Sequence, residues 1–107
     1  MAAAYIQVQT AAPTRDDAQR IADALVERRL AACVQVVGPI ASTYRWQGAV
    51  ERAEEWLCLV KTARSQYDAV ERAIAELHPY DTPEIIALDV VAGSERYLAW
   101  LGEQMKE

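Results

Sequence analysis

Residues 78–84 carry the side chains of this sequence whose types and spacing could do chemistry. They read His-Pro-Tyr-Asp-Thr-Pro-Glu, so an imidazole, a phenol and two carboxyl groups lie around two prolines. Pro79 and Pro83 restrict their own backbone and that of the residue before each, so the segment should present these groups in one conformation. The set suits a binding site. A structural role is equally open, in which His78 favours the dipole of a preceding helix while Tyr80 and Glu84 satisfy loop backbone.

Candidate metal ligands are few in this chain. His78 is the only histidine and Cys33 and Cys58 are the only cysteines, so a mononuclear zinc site would need both thiols and a carboxylate. A hairpin turning at residues 47–48 pairs Cys58 near Val37 and leaves Cys33 about 13 Å further along, which argues against a disulfide or a shared metal within one hairpin. Both thiols stand among apolar residues, which favours core packing over reactivity. Metal binding by this chain would therefore need symmetry or be weak.

A second group of candidates lies at the end of the hairpin. Tyr44 and Trp46 should share one face of a strand, with Arg45 on the other, and such residues are typical of interface anchors. Cross-strand stabilisation of the hairpin is the alternative. Lys61 ends an apolar strand and could donate to a bound anion, or it could simply be solvated. The candidate pocket residues are therefore Trp46, Lys61, Tyr80, Glu84 and Arg45.

Sequence templates for catalysis are absent. The four glycines form neither a phosphate-binding loop nor a dinucleotide turn. A nucleophilic pair of Cys33 and His78 would require the fold to bring the two together. We predict a protein that is not an enzyme and that requires no cofactor.

Composition and charge limit the classes of partner that this chain could bind. The 107 residues fit one domain, 1–107, with 11 basic and 16 acidic residues and a net charge of −5. The basic residues are scattered among acids, which argues against nucleic acid as a partner. The start resembles no signal peptide and no apolar run has membrane-spanning length, so we predict no membrane partner and a cytoplasmic location.

The elements that must position these side chains follow from periodicity and capping signals. Period-two alternation, helical spacing and turn residues predict strand 5–10, helix 15–29, a long hairpin over 33–62 with a bulge at 38–39, helix 67–77 capped by Ser65, strand 85–91, and a short helix after Ser94. The order β-α-β-β-α-β with a C-terminal helix predicts a ferredoxin-like α+β sandwich with an antiparallel sheet.

Two of the predicted strands carry more apolar surface than the helices can cover. Segments 56–60 and 85–91 are apolar on both faces, whereas both helices of this arrangement lie on one face. Other copies of the chain are the simplest cover, so we predict a homo-oligomer. The expected interface residues are Tyr44, Trp56, Cys58, Ile86 and Leu88.

Six segments, in order along nearly the whole chain, resemble the CutA divalent-cation-tolerance family: 10–13, 30–33, 44–48, 59–62, 78–84 and 97–101. Most specific are His-Pro-Tyr-x-x-Pro-Glu, Ala-Ala-Cys and Tyr-x-Trp-x-Gly. The resemblance implies a ferredoxin-like homotrimer similar to the PII signalling proteins, with a non-enzymatic role in tolerance of copper and other divalent cations. It also associates copper with a cysteine and two consecutive histidines, at positions that hold Thr10, Leu77 and His78 here. It leaves His78 and the family-typical Cys33 as the candidate ligands for copper or another divalent cation. The alternative is a PII-like signalling module that binds a small anionic metabolite in an intersubunit pocket through Lys61 and Arg45.

Overall fold

Four strands and three α-helices make up the computed structural model, which describes residues 3–106. Local signals account for most of them, and a single 3₁₀ turn at Arg64–Gln66 precedes the second helix. In chain order the elements are β1 Tyr5–Ala12, α1 Arg15–Glu27, β2 Cys33–Trp46, β3 Ala49–Ala63, α2 Tyr67–Leu77, β4 Ile86–Asp89 and α3 Glu95–Gln104.

The helix ends show which local signals decide the structure. The Thr14 hydroxyl caps α1 by accepting the Asp17 N–H at 3.0 Å, as predicted. The helix stops at Glu27 rather than at residue 29, because Arg29 adopts a left-handed backbone with φ 58°. The predicted cap at Ser65 is wrong. The Arg64 N–H donates to Ala4 O at 2.8 Å, which ties the chain to the start of β1, and α2 has no side-chain cap.

The four strands form one sheet in the order β2-β3-β1-β4, and every neighbouring pair is antiparallel. Helices α1 and α2 cover one face of this sheet. On that face lie the buried side chains of the core, among them Val8, Cys58 and Val60 of the strands and Ile21 and Ile74 of the helices. The predicted α+β class and antiparallel sheet are confirmed.

The other face, called here the open face, is not covered by α1 or α2. Leu57 and Leu59 of β3 lie on it, as do Ile86 and Leu88 of β4, which remain 49% and 47% exposed. The fully buried Cys58 faces the opposite way and its thiol donates to Ala18 O of α1. Cys58 therefore has no surface to offer another subunit, and its assignment to an interface was wrong.

Trp56 also belongs to the helix-covered side, where it packs against the core. Its ring lies so close to Gly38 that a Cβ there would come within 2.4 Å of Trp56 Cδ1. This contact explains the glycine. None of the described helices is both long and apolar enough to cross a membrane.

Beyond the sheet, β2 and β3 continue as a two-stranded arm formed by residues 40–46 and 49–55. Gln47 and Gly48 turn the arm with φ values of 48° and 82°, which fits the predicted turn. The arm gives the chain a long dimension of 44 Å and a radius of gyration of 14.4 Å. A compact chain of this length would have about 13 Å.

Candidate functional site

His78 anchors the segment 78–84 to the end of β1. Its imidazole is buried, with Nε2 2.7 Å from Ala11 O and Nδ1 3.1 Å from the backbone nitrogen of Tyr80. A backbone N–H can only donate and a carbonyl can only accept, so Nδ1 carries the lone pair and Nε2 carries the proton. Both ring nitrogens are therefore occupied by the chain's own backbone.

Tyr80 in turn reaches β3. Its hydroxyl donates to Glu55 Oε2 at 3.1 Å, and its ring centroid lies 4.8 Å from that of His78. Removal of the phenol from water raises the pKa of Tyr80 to about 12, and the hydrogen bond and negative charge of Glu55 act in the same direction. Glu55 is only 8% exposed. The site therefore contains a protonated phenol bound to a buried carboxylate.

A cleft of about 910 Å³ opens between the segment 78–84 and the arm. Its walls are formed by the Tyr80 side of the loop and by one face of the arm. The lining residues are Ala11, Ser42, Thr43, Tyr44, Trp46, Glu55, Pro79, Tyr80, Asp81, Thr82, Pro83 and Glu84.

A bulge in β2 brings the arm's aromatic side chains to this cleft. Between Val37 and Ile40, β2 advances three residues while β3 advances two. One extra residue reverses which side chains of β2 share a face with a given side chain of β3. The even-numbered residues of β2 in the arm, Tyr44 and Trp46 among them, thus lie on the same side as Glu55.

The predicted pocket residues divide into two groups. Trp46, Tyr80 and Glu84 line the cleft, and Tyr44, predicted at an interface, lines it as well. Arg45 lies on the other face of the arm, and Lys61 lies on the open face, where its ammonium group donates to Gln35. Lys61 is four residues along β3 from Leu57, the partner of Ala11, which is about 13 Å at strand rise. Neither cation lines the cleft, contrary to expectation.

Sequence reasoning missed Glu55, the most buried charged group of the site. Sequence reasoning treated it only as part of the extended pattern of the hairpin over 33–62. The alternation of Glu55 with Leu57 and Leu59 could have placed it on the open side of β3. The rest of the surroundings of Glu55 come from the bulge in β2 and from the position of Tyr80. Neither leaves a pattern in the sequence near Glu55.

The residues at the expected copper positions do not fit a copper site in this chain. Thr10 is fully buried in the core and its hydroxyl has no hydrogen-bond partner, Leu77 offers no donor atom, and both nitrogens of His78 are engaged. Cys33 pairs with Lys61 on β3, whereas His78 contacts Ala11 about 13 Å further along the sheet. No group of three ligating side chains occurs among residues 3–106.

Comparison with known proteins extends these observations to the whole chain. The profile of the family described as CutA1 divalent ion tolerance protein matches residues 6–104. The divalent-cation tolerance protein CutA of Thermus thermophilus is 47% identical over 91 residues, which cover 85% of this chain and 88% of that protein. For the chloroplastic CutA of Arabidopsis thaliana the identity is 38%, over 90% of this chain but only 53% of that longer protein.

Solved structures agree with the sequence comparison. The crystal structure of CutA from Xylella fastidiosa superposes with a TM-score of 0.94 at 36% identity, covering 97% of this chain and 100% of that one. The Thermus thermophilus protein superposes with a TM-score of 0.91 at 44% identity, over 94% and 97% of the two chains. The chain belongs to the CutA1 divalent ion tolerance protein family.

Proposed function

We propose that this protein acts as a non-enzymatic homotrimer in tolerance of divalent cations, copper among them. The observation that carries the proposal is the family match over residues 6–104, together with relatives that are named divalent-cation tolerance proteins. The strand order β2-β3-β1-β4, with helices joining β1 to β2 and β3 to β4, supports a ferredoxin-like arrangement for each subunit.

The open face and the arm support the oligomer. Ile86 and Leu88 of β4 leave about half of their surface in water. Leu57 and Leu59 of β3 lie on the same face, on the other side of β1, and exposed apolar side chains on one sheet face support an interaction surface. The arm is a two-stranded ribbon without a third strand, and such ribbons are marginal in water unless something packs on them. Further copies of the chain would cover both features at once.

The geometry of His78 supports a role without catalysis. A general base must have a free lone pair within reach of substrate, and the Nδ1 lone pair of His78 already accepts the Tyr80 N–H. His78 and Cys33 lie too far apart to act as a nucleophilic pair. Segment 78–84 therefore provides a rigid surface rather than a catalytic group.

The proposal requires no metal cofactor. Because His78 and Cys33 cannot join in one site and Thr10 is enclosed in the core, we expect any binding of copper to be weak. A cytoplasmic location is part of the proposal, and the free thiols of Cys33 and Cys58 would stay reduced there. The alternative function, binding of an anionic metabolite through Lys61 and Arg45, receives no support from the cleft, whose charged lining residues are all acids.

Two measurements test the proposal. Native mass spectrometry should show a species of three subunits at micromolar concentration. Expression in a bacterial strain deleted for its own homologue should restore growth on copper, with the empty plasmid as control. Detection of a monomer alone would contradict the proposed trimer. Growth no better than with the empty plasmid would contradict the proposed role in tolerance.

A further inference from the structure

Glu55 is a buried carboxylate without a cationic partner. It is 8% exposed, and the Tyr80 hydroxyl is the one hydrogen-bond donor that its side chain has among residues 3–106. The ion pairs of that part of the chain join Arg20 to Asp17, Arg64 to Asp89 and Lys106 to Glu103. A buried charge is costly unless it is paired, and Glu55 lacks the cationic partner that buried carboxylates usually have.

The groups around Glu55 also favour a cation. Tyr44, Trp46 and Tyr80 line the same cleft, and the faces of aromatic rings attract ammonium and guanidinium groups. Asp81 and Glu84 stand on the same walls and add negative charge. No lysine or arginine lines the cleft to offset it.

The cleft suits an organic cation better than a metal ion. Its volume of about 910 Å³ lies within the range of small-molecule sites, about 300–1,000 Å³. Hard metal ions take several oxygen ligands, and residues 3–106 contain no group of three acidic, histidine or cysteine side chains close enough to hold one. The aromatic walls have no role in coordinating a metal, whereas they match a cation that carries carbon.

We propose that this cleft binds a small organic cation with an ammonium or guanidinium group, with Glu55 as its counter-ion and Tyr44, Trp46 and Tyr80 as its aromatic walls. The site goes beyond the proposed role in divalent-cation tolerance, and it rests on the cleft staying accessible when other copies cover the open face. His78 is a positioning residue here, because it holds the backbone of Tyr80.

Titration of the intact protein with tetramethylammonium and methylguanidinium chlorides tests the proposal, followed by calorimetry and by tryptophan fluorescence. Sodium chloride at equal ionic strength and sodium acetate serve as ligand controls. We expect saturable binding at millimolar concentration, weakened about tenfold or more by Glu55→Gln, which keeps an acceptor for Tyr80. Glu54→Gln is the matched control, since Glu54 is the neighbouring acid on β3 but lies on the other face of the arm and does not line the cleft.

Three results would overturn the proposal: no saturable binding of either cation, equal affinity in wild type and Glu55→Gln, or equal binding of acetate. If Glu55→Gln instead dissociates the oligomer while wild type binds neither cation, a neighbouring subunit supplies the cation and the small-molecule site is wrong. None of these results bears on growth with copper. Failure of this site is thus distinguishable from failure of the proposed function.

Discussion

The backbone N–H of Tyr80 donates to Nδ1 of His78 at 3.1 Å. The same ring binds Ala11 O through Nε2 at 2.7 Å, so one imidazole joins the loop to the end of β1. Sequence motifs of this kind suggest a metal ligand. In this chain the two hydrogen bonds give His78 a structural role, because they hold the loop against the end of β1.

Replacement of His78 separates these two roles. His78→Ala should lower the free energy of unfolding by about 2 kcal/mol, because two hydrogen bonds are lost and two backbone groups lose their partner. Affinity for copper should stay the same as in wild type. Urea unfolding and copper titration measure the two effects. A variant of unchanged stability that has lost its copper affinity would show that His78 is a ligand.

Two buried threonines offer a matched pair on the helix-covered face. Thr10 Oγ1 has no partner, whereas Thr62 Oγ1 donates to Leu30 O at 2.6 Å. Thr10→Val should therefore stabilise the protein by about 1 kcal/mol, and Thr62→Val should destabilise it by about 1–2 kcal/mol. Thermal unfolding of both variants checks this. Loss of stability in Thr10→Val would mean that its hydroxyl has a partner in solution.

The signals that predicted most of the fold are local. The Thr14 cap, the positive-φ turn at Gln47 and Gly48 and the period-two alternation of β1 each depend on a few adjacent residues. The cap predicted at Ser65 failed because a distant hydrogen bond, from Arg64 to Ala4, sets the backbone there. Tertiary contacts of that kind have no signature in the neighbouring sequence.

The site was harder to predict than the fold for the same reason. Segment 78–84 was recognised from its composition, and three of the five pocket residues do line the cleft. Arg45 does not because it lies on the other face of the arm, and Lys61 does not because it lies about 13 Å away along β3. Glu55 joins the site only because of strand register and the reach of Tyr80.

The phenol of Tyr80 should make stability depend on alkaline pH. Its pKa is raised to about 12 in the folded chain, above the ordinary value of 10.0, so between these values the unfolded chain loses the proton first. Its contribution is complete below about pH 10 and is lost as pH rises toward 12. The unfolding free energy of Tyr80→Phe should fall less steeply over this window. Tyr67, whose pKa is also raised, is present in wild type and in Tyr80→Phe, so it contributes equally to both pH dependences. Equal slopes of unfolding free energy against pH would therefore contradict the assignment of the effect to Tyr80.

The open face should carry the trimer contacts. Leu88→Lys places a charge where the proposed interface excludes water, and loss of the buried leucine costs about 2 kcal/mol for each subunit. Light scattering should show dissociation toward monomer. Val26→Lys is the matched control, because Val26 is similarly exposed but lies on α1. A Leu88→Lys variant that remains trimeric would move the interface away from this face.

The two thiols distinguish the sheet faces chemically. Burial raises the pKa of the Cys58 thiol to about 11, so at about pH 8 only about one thousandth is thiolate, and α1 also shields it. Cys58 should therefore resist a thiol reagent in the folded trimer and also in Leu88→Lys. Cys33 is on the open face, so it should react slowly in the trimer and rapidly in the monomeric variant.

Labelling of Cys33→Ser and Cys58→Ala, each with and without Leu88→Lys, resolves the two rates. Because Cys58 is covered by its own helix, dissociation of the oligomer should leave its labelling rate unchanged and guanidinium unfolding should release it. A Cys58 rate that rises on dissociation would show that a neighbouring subunit contributes to its cover, which would restore Cys58 to the interface. Equal Cys33 rates in trimer and monomer would instead show that the open face remains in water after assembly.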